Sequence, residues 1–257
     1  MTIVQAGLVD VNDGELYYEV HGEGPAVVLV HGFGVDRRMW ASQIDALSDR
    51  YMVVTYDLRG FGKSSVPSAT YRHYVDLAAV LDYLGIDKTS LIGSSLGGRI
   101  SLDFAIAYQK RTTSVITAAG IPSGFQFNRP PGTPPGPNRA LFRATLERLS
   151  DKNADSLKGM VDAYSRWHLK NQDPREEVNP PAVTRLGEII APTLVTVGSV
   201  DDPDFHRAAE MLMVGIARPR KHIFEGSGHL PNMDAPEEFN QVALDFLDDN
   251  MQHSVVL

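Results

Sequence analysis

Short apolar runs alternate with stretches of helical spacing along most of this chain, and that alternation predicts a fold before any single residue is considered. Ala26 to Val30, Tyr51 to Tyr56, Ser90 to Ile92, Ser114 to Thr117, Thr193 to Val197 and His222 to Phe224 each read as a buried strand. Between them, Tyr74, Leu77, Leu81 and Leu84, and later Phe239, Val242, Phe246 and Leu247, recur at the spacing of one helix face. Strands apolar on both sides need cover on both sides. The expectation is therefore an α/β fold with a mostly parallel central sheet of about eight strands and helices on both faces. The chain opens with a hairpin pattern, in which Gly7 to Val11 and Glu15 to Glu19 flank the turn-forming Asn12-Asp13-Gly14.

One interval breaks the alternation. From about residue 121 to residue 189 no strand-like run occurs. A proline-rich stretch over 129–137 is followed by helical patterns over 139–149 and 154–169. This predicts a core domain of residues 1–120 and 190–257 carrying a helical cap insertion at 121–189. Pattern alone leaves open whether the cap is a rigid cover or a moving lid.

Composition narrows the classes of activity. A chain of 257 residues with 43% hydrophobic and 22% charged residues has enough apolar material for one full core. No apolar stretch approaches the ~20 residues of a membrane helix, and Met1 to Gln5 carries neither the basic nor the apolar part of a secretory signal, so the expected location is the cytoplasm. A net charge of −8 argues against nucleic acid as a partner. The short basic cluster Arg218-Pro219-Arg220-Lys221 reads as a solvated helix-to-strand connection. Zero cysteines exclude disulfides, thiolate metal sites and a cysteine nucleophile, which leaves oxygen or lysine for covalent chemistry. Neither a cofactor nor a metal is expected, and nothing in the pattern indicates an oligomeric state.

Candidate chemistry centres on Ser95, in Gly93-Ser94-Ser95-Leu96-Gly97 between an apolar run and a helical pattern. A G-x-S-x-G at a strand-to-helix turn can present a serine in a strained conformation, with glycines where a Cβ would clash. A serine hydroxyl also needs a base, an acid to orient that base, and donors for an oxyanion. Among the histidines after Ser95, His222 falls in a predicted strand, His253 in the tail and His206 in a predicted helix. His229 follows the last strand in the glycine-rich Glu225-Gly226-Ser227-Gly228 and is the candidate base. For the acid, Asp201 is the first candidate by its spacing from Gly198 and Asp202 the second, while Asp204 reads as the cap of a helix beginning near Phe205. The oxyanion donors would be the backbone amides of Leu96 and of Phe33 in His31-Gly32-Phe33-Gly34. His31 and the Asp57 to Ser64 segment read as turn-holding groups. Gly34, Ser94, Phe125, Trp167 and His168 are candidates for the substrate pocket, with Phe127 and Tyr164 beside them; packing of the cap explains the aromatic ones equally well.

Taken in order, the His31-Gly32-Phe33-Gly34 loop, the Asp57 to Ser64 segment, the elbow, Gly198 to Asp201 and Gly226 to His229 resemble the α/β-hydrolase superfamily over nearly the whole chain. Within it, Pro203-Asp204-Phe205 and His229-Leu230-Pro231-Asn232-Met233 are similar to the esterases and enol-lactonases of the 3-oxoadipate enol-lactonase-like group. Ser94 departs from that group, whose members often carry a larger residue there. The resemblance implies a cofactor-independent serine hydrolase cleaving a small carboxylic ester or lactone through an acyl-enzyme. A serine at the elbow removes the branches that need an aspartate nucleophile. Other chemistries on the same fold form the alternative, namely carbon-carbon bond hydrolysis, hydroxynitrile lysis or cofactor-free dioxygenation. A ligand-binding receptor is the third possibility.

Overall fold

The computed structural model describes residues 3–128, 157–160, 171 and 173–251. Strands β1 (Ile3–Val11) and β2 (Gly14–His21) form the expected hairpin, with Asp13 at a φ of 72° in the turn, a conformation that Asp and Asn tolerate. There follow β3 (Ala26–Val30), α1 (Ala41–Leu47), β4 (Met52–Tyr56), α2 (His73–Tyr83), β5 (Thr89–Ser94), α3 (Leu96–Ala107) and β6 (Thr112–Ala118). After the insertion come β7 (Thr193–Gly198), α4 (Pro203–Gly215), β8 (Pro219–Phe224), α5 (Pro231–Asp234) and α6 (Pro236–Met251). The strands make one eight-stranded sheet in the order β1-β2-β4-β3-β5-β6-β7-β8, antiparallel from β1 to β4 and parallel from there to β8.

Strand side chains alternate between two cores, as the period of two requires. Val27 and Leu29 pack with Ile44 and Leu47 of α1 and with Phe239 and Leu247 of α6. Val28 and Val30 point the other way, to Leu77 and Leu81 of α2 and to Ile100 and Phe104 of α3. Farther along that face, Val195 and Val197 meet Ala208 and Leu212 of α4. Burial on both faces is what forced the strands to read as continuous apolar runs.

The basic cluster is placed differently from the expectation. Pro219, Arg220 and Lys221 belong to β8 itself, paired in register with Thr193, Leu194 and Val195. As the edge strand, β8 has one open side, and its charged side chains pair with the flanking helices: Arg220 with Asp249 of α6 at 2.7 Å, Lys221 with Glu210 of α4, and His222 with Glu238 of α6 at 2.9 Å. Charged side chains on an edge oppose strand addition, and that function hid the strand's start from an apolar-run criterion.

Of residues 121–189, expected to form a cap insertion, 121–128, 157–160, 171 and 173–189 are described. The proline-rich stretch and the helix expected over 139–149 lie outside the described residues. Residues 157–160 are helical, with Leu157 and Met160 buried in the same core as Val35 and Met39. Asp103 of α3 ties together both ends of the segment between β6 and β7. Ser123 Oγ donates to it at 2.7 Å, and the same oxygen accepts from the Ala182 amide at 2.8 Å; the Val178 amide also donates to Asp103. Burial pushes the Asp103 carboxyl from 3.8 up to about 6, with Glu177 adding to the rise and Ser123 and Arg99 opposing it. A carboxyl whose folded pKa is raised gives its stability at low pH and loses it as pH climbs through the folded value. Asp103→Asn removes that dependence. Between pH 4.5 and pH 8 the wild type should therefore lose on the order of 2 kcal/mol relative to Asp103→Asn, read as converging and diverging melting temperatures in calorimetry. Parallel pH profiles for the two proteins would contradict the assignment.

Candidate active site

The parallel strands place their carboxyl ends along one edge of the sheet, and the loops leaving β3, β4, β5, β7 and β8 meet there. Ser95 forms the turn from β5 into α3 with φ 52° and ψ −108°, outside both helical and extended regions. Its amide donates to Ala118 O at 2.8 Å and its carbonyl accepts from Arg99 N at 3.1 Å, so neighbouring backbone holds the turn in place. Gly93 and Gly97 make the turn possible. A Cβ on Gly93 would lie 2.2 Å from Gly97 O, and one on Gly97 would lie 1.9 Å from Val30 O.

His229 Nε2 lies 3.0 Å from Ser95 Oγ, and His229 Nδ1 lies 3.0 Å from Asp201 Oδ2. Because a carboxylate can only accept, Nδ1–H donates to Asp201, which leaves the Nε2 lone pair facing the serine hydroxyl. The Asp201 side chain is fully buried and accepts from the Asp202 amide at 2.7 Å through its other oxygen. Three groups from three loops thus form one line: an acceptor, an imidazole of fixed tautomer and a hydroxyl positioned to lose its proton.

The remaining aspartates take structural places. Asp202, not Asp204, caps α4, accepting from the Asp204 amide at 2.9 Å while Pro203 opens the helix. Asp204 is not the cap that the sequence suggested. Its side chain instead accepts from Asn128 N at 2.7 Å and pairs with Arg207 at 2.9 Å. A helix starting two residues earlier than the periodicity indicated accounts for the difference.

Leu96 is the first residue of α3, where amides have no acceptor within the helix. The His31 to Gly34 loop lies against the elbow: a Cβ on Gly32 would be 3.3 Å from Ser94 O and 3.5 Å from Ser95 Cβ. Phe33 packs its ring edge-on to Phe61 at 5.7 Å, and buried Gly34 takes a φ of 84°. His31 braces this loop, with Nδ1–H donating to Gly32 O at 2.8 Å and Nε2 accepting from Leu58 N at 2.9 Å. Burial pushes its pKa below the ordinary value and keeps the ring neutral. Asp57 holds the same region from below, accepting from Arg37 N at 3.0 Å, Arg37 Nη1 at 2.8 Å and Lys63 N at 2.9 Å.

Ser94 is fully buried and, among the described residues, its hydroxyl has no hydrogen-bonding partner. Phe125 is buried in the core with Ile121, Val178 and Leu186. Trp167, His168 and Tyr164 lie outside the described residues. Arg37 was not singled out from sequence, and Phe205 was named only within the Pro203-Asp204-Phe205 likeness, with no role at the site. Arg37 joins Asp57 to Glu19, the latter at 2.9 Å, and Phe205 sets its ring centroid 4.2 Å from that of His229. The signal for Arg37 was a buried Asp57 in need of a cation; Phe205 on the face of a helix reads as ordinary core. Among the described residues, no three His, Asp or Glu side chains converge as a metal site, and no helix is long and apolar enough to cross a membrane.

Comparison with known proteins identifies the family and fold. A model of the Alpha/beta hydrolase family matches residues 27–242. The chain belongs to that family. This alpha/beta hydrolase is 32% identical over 273 aligned positions to a 2-hydroxy-6-oxo-6-phenylhexa-2,4-dienoate hydrolase of Comamonas testosteroni, covering 93% of each chain. It is 30% identical to a 2-hydroxy-6-oxononadienedioate/2-hydroxy-6-oxononatrienedioate hydrolase of Klebsiella pneumoniae, covering 93% of this chain and 94% of the relative. Among solved structures, a thermophilic esterase from Thermogutta terrifontis superposes with a TM-score of 0.73 at 26% identity, over 96% of this chain and 99% of the esterase.

Proposed function

We propose that this alpha/beta hydrolase cleaves a carbon-carbon bond in a 2-hydroxy-6-oxo-dienoate, using Ser95 as nucleophile, His229 as general base and acid, and Asp201 as the group that orients His229. The full-length similarity to the Comamonas testosteroni enzyme carries the choice of bond. It favours carbon-carbon cleavage over the ester or lactone that the sequence motifs put first. The chemistry fits a serine with an in-line base. Shifting the enol proton to C5 gives a 2,6-dioxo form whose C6 ketone Ser95 Oγ can attack, passing its proton to His229 Nε2. The amides of Phe33 and Leu96 would receive the oxyanion. When the C5–C6 bond breaks, its electron pair moves onto C5 and is delocalised to the C2 oxygen, and His229 returns the proton to this departing dienolate. Water then gives a proton to His229 and its oxygen to the acyl carbon, releasing a carboxylic acid and regenerating Ser95.

An ester or lactone is the second reading, supported by the Thermogutta terrifontis esterase. The two differ in what leaves, a dienolate or an alkoxide, and in the proton shift to C5 that only the dienoate requires. Comparing kcat/KM for 2-hydroxy-6-oxo-6-phenylhexa-2,4-dienoate with those for short-chain nitrophenyl esters and small lactones separates them. The expected result is a preference for the dienoate of about 100-fold or more, near 3 kcal/mol of transition-state stabilisation. Ester turnover with the dienoate untouched would reverse the order.

A further inference from the structure

We propose that Phe205 is a positioning residue for His229, and that the first residues of the insertion hold it in that role. This rests on the reading of His229 as base. The two hydrogen bonds of the His229 ring lie along the line from Asp201 to Ser95, and bonds at the two nitrogens leave the ring free to rock about that line. Contacts within the loop do not restrict it, since they fix backbone: Gly226 N donates to Ser199 Oγ at 2.8 Å and Gly228 N to Asp234 Oδ2 at 2.7 Å. The Phe205 ring stands against that rocking, 4.2 Å from the imidazole centroid at 49°.

Phe205 is itself held. It sits in the first turn of α4, whose start is fixed by the Asp202 cap, and it is 7% exposed. Among the described residues its other ring neighbour is Phe127 at 6.0 Å, which in turn meets Phe125 at 5.4 Å. Residues 125–128 are strapped to the same helix: Asn128 N donates to Asp204, Arg207 donates to Gln126 O, and the Arg207 guanidinium lies 4.9 Å above the Phe125 ring. A continuous path of rings therefore joins the start of the insertion to the base. A displacement of the base by about an ångström is enough to cost up to about 100-fold in rate.

The test uses Phe205→Leu, Phe205→Tyr and Phe127→Leu in the full chain, with thermal unfolding recorded for each. Phe205→Leu is expected to lower kcat by about 10- to 100-fold with KM within about two-fold. Phe205→Tyr should restore the rate, and Phe127→Leu should fall between. The low-field proton resonance of His229 Nδ1–H, assigned by its loss in His229→Gln, should broaden or vanish in Phe205→Leu and return in Phe205→Tyr. A raised KM at unchanged kcat would overturn the proposal, because Phe205 would then be only a pocket wall. So would an unchanged resonance in a folded Phe205→Leu, or a loss of rate and melting temperature that Phe205→Tyr does not rescue. The resonance needs no substrate, so failure of wild-type turnover on either substrate class would count against the proposed function and leave this arm decisive.

Discussion

Replacing Ser95 with alanine should lower turnover of the preferred substrate by about 10⁴- to 10⁶-fold, because His229 then has no hydroxyl to deprotonate and only binding and the oxyanion donors remain. The fold should survive. Alanine keeps the Cβ that the elbow already accommodates at φ 52°, and the hydroxyl lost is half-buried with one hydrogen bond to His229. That bond is worth about 1 kcal/mol net, so the melting temperature should move by about 4 °C at most. Steady-state kinetics and calorimetry on the same preparation check both halves. Activity within about ten-fold of wild type would remove Ser95 as nucleophile, whatever bond is cleaved.

A second large effect is expected at a position that touches no substrate. Gly97→Ala would place a methyl group 1.9 Å from Val30 O and 2.8 Å from His31 O, both backbone atoms of the strand and loop that frame the site. Neither can give way through a rotamer change. Relief requires α3 to separate from β3, which breaks the packing of Ile100 and Phe104 against Val28 and Val30. The cost should exceed about 4 kcal/mol, in the range that marks a structural defect, and should appear as a fall in melting temperature of about 10 °C or as insoluble protein. A soluble Gly97→Ala protein melting with the wild type would show that β3 and α3 are not in such close approach.

The site was readable wherever function follows directly from a strand. Ser95, Asp201 and His229 each lie just past an apolar run, in loops where glycine and aspartate have few structural reasons to cluster; position after Ser95 left four histidines, and the loop context singled out one of them. The mostly parallel sheet and the helices on both its faces followed from continuous apolar strands for the same reason, whereas the order of the strands came only with the structure. Reading failed where charge or aromaticity serves packing. Arg220 and Lys221 are in a strand because an edge strand tolerates charge, here paired with Asp249 and Glu210 of the flanking helices. Asp204 lost the cap to Asp202 because Pro203 opens the helix earlier than its apolar face begins. Phe205 could not be told from a core residue, since its neighbour His229 is 24 positions away in sequence and meets it only through the fold. The leaving group was illegible for a deeper reason: the same three groups serve an alkoxide or a dienolate, and the motifs encode the groups alone.

Product analysis in ¹⁸O-labelled water tests the central claim most directly. Incubated with 2-hydroxy-6-oxo-6-phenylhexa-2,4-dienoate, the wild type should form benzoate and 2-hydroxypenta-2,4-dienoate in equal amounts, with ¹⁸O in the benzoate carboxyl, and Ser95→Ala should form neither. Intact dienoate after prolonged incubation with enzyme that hydrolyses nitrophenyl esters would contradict carbon-carbon cleavage.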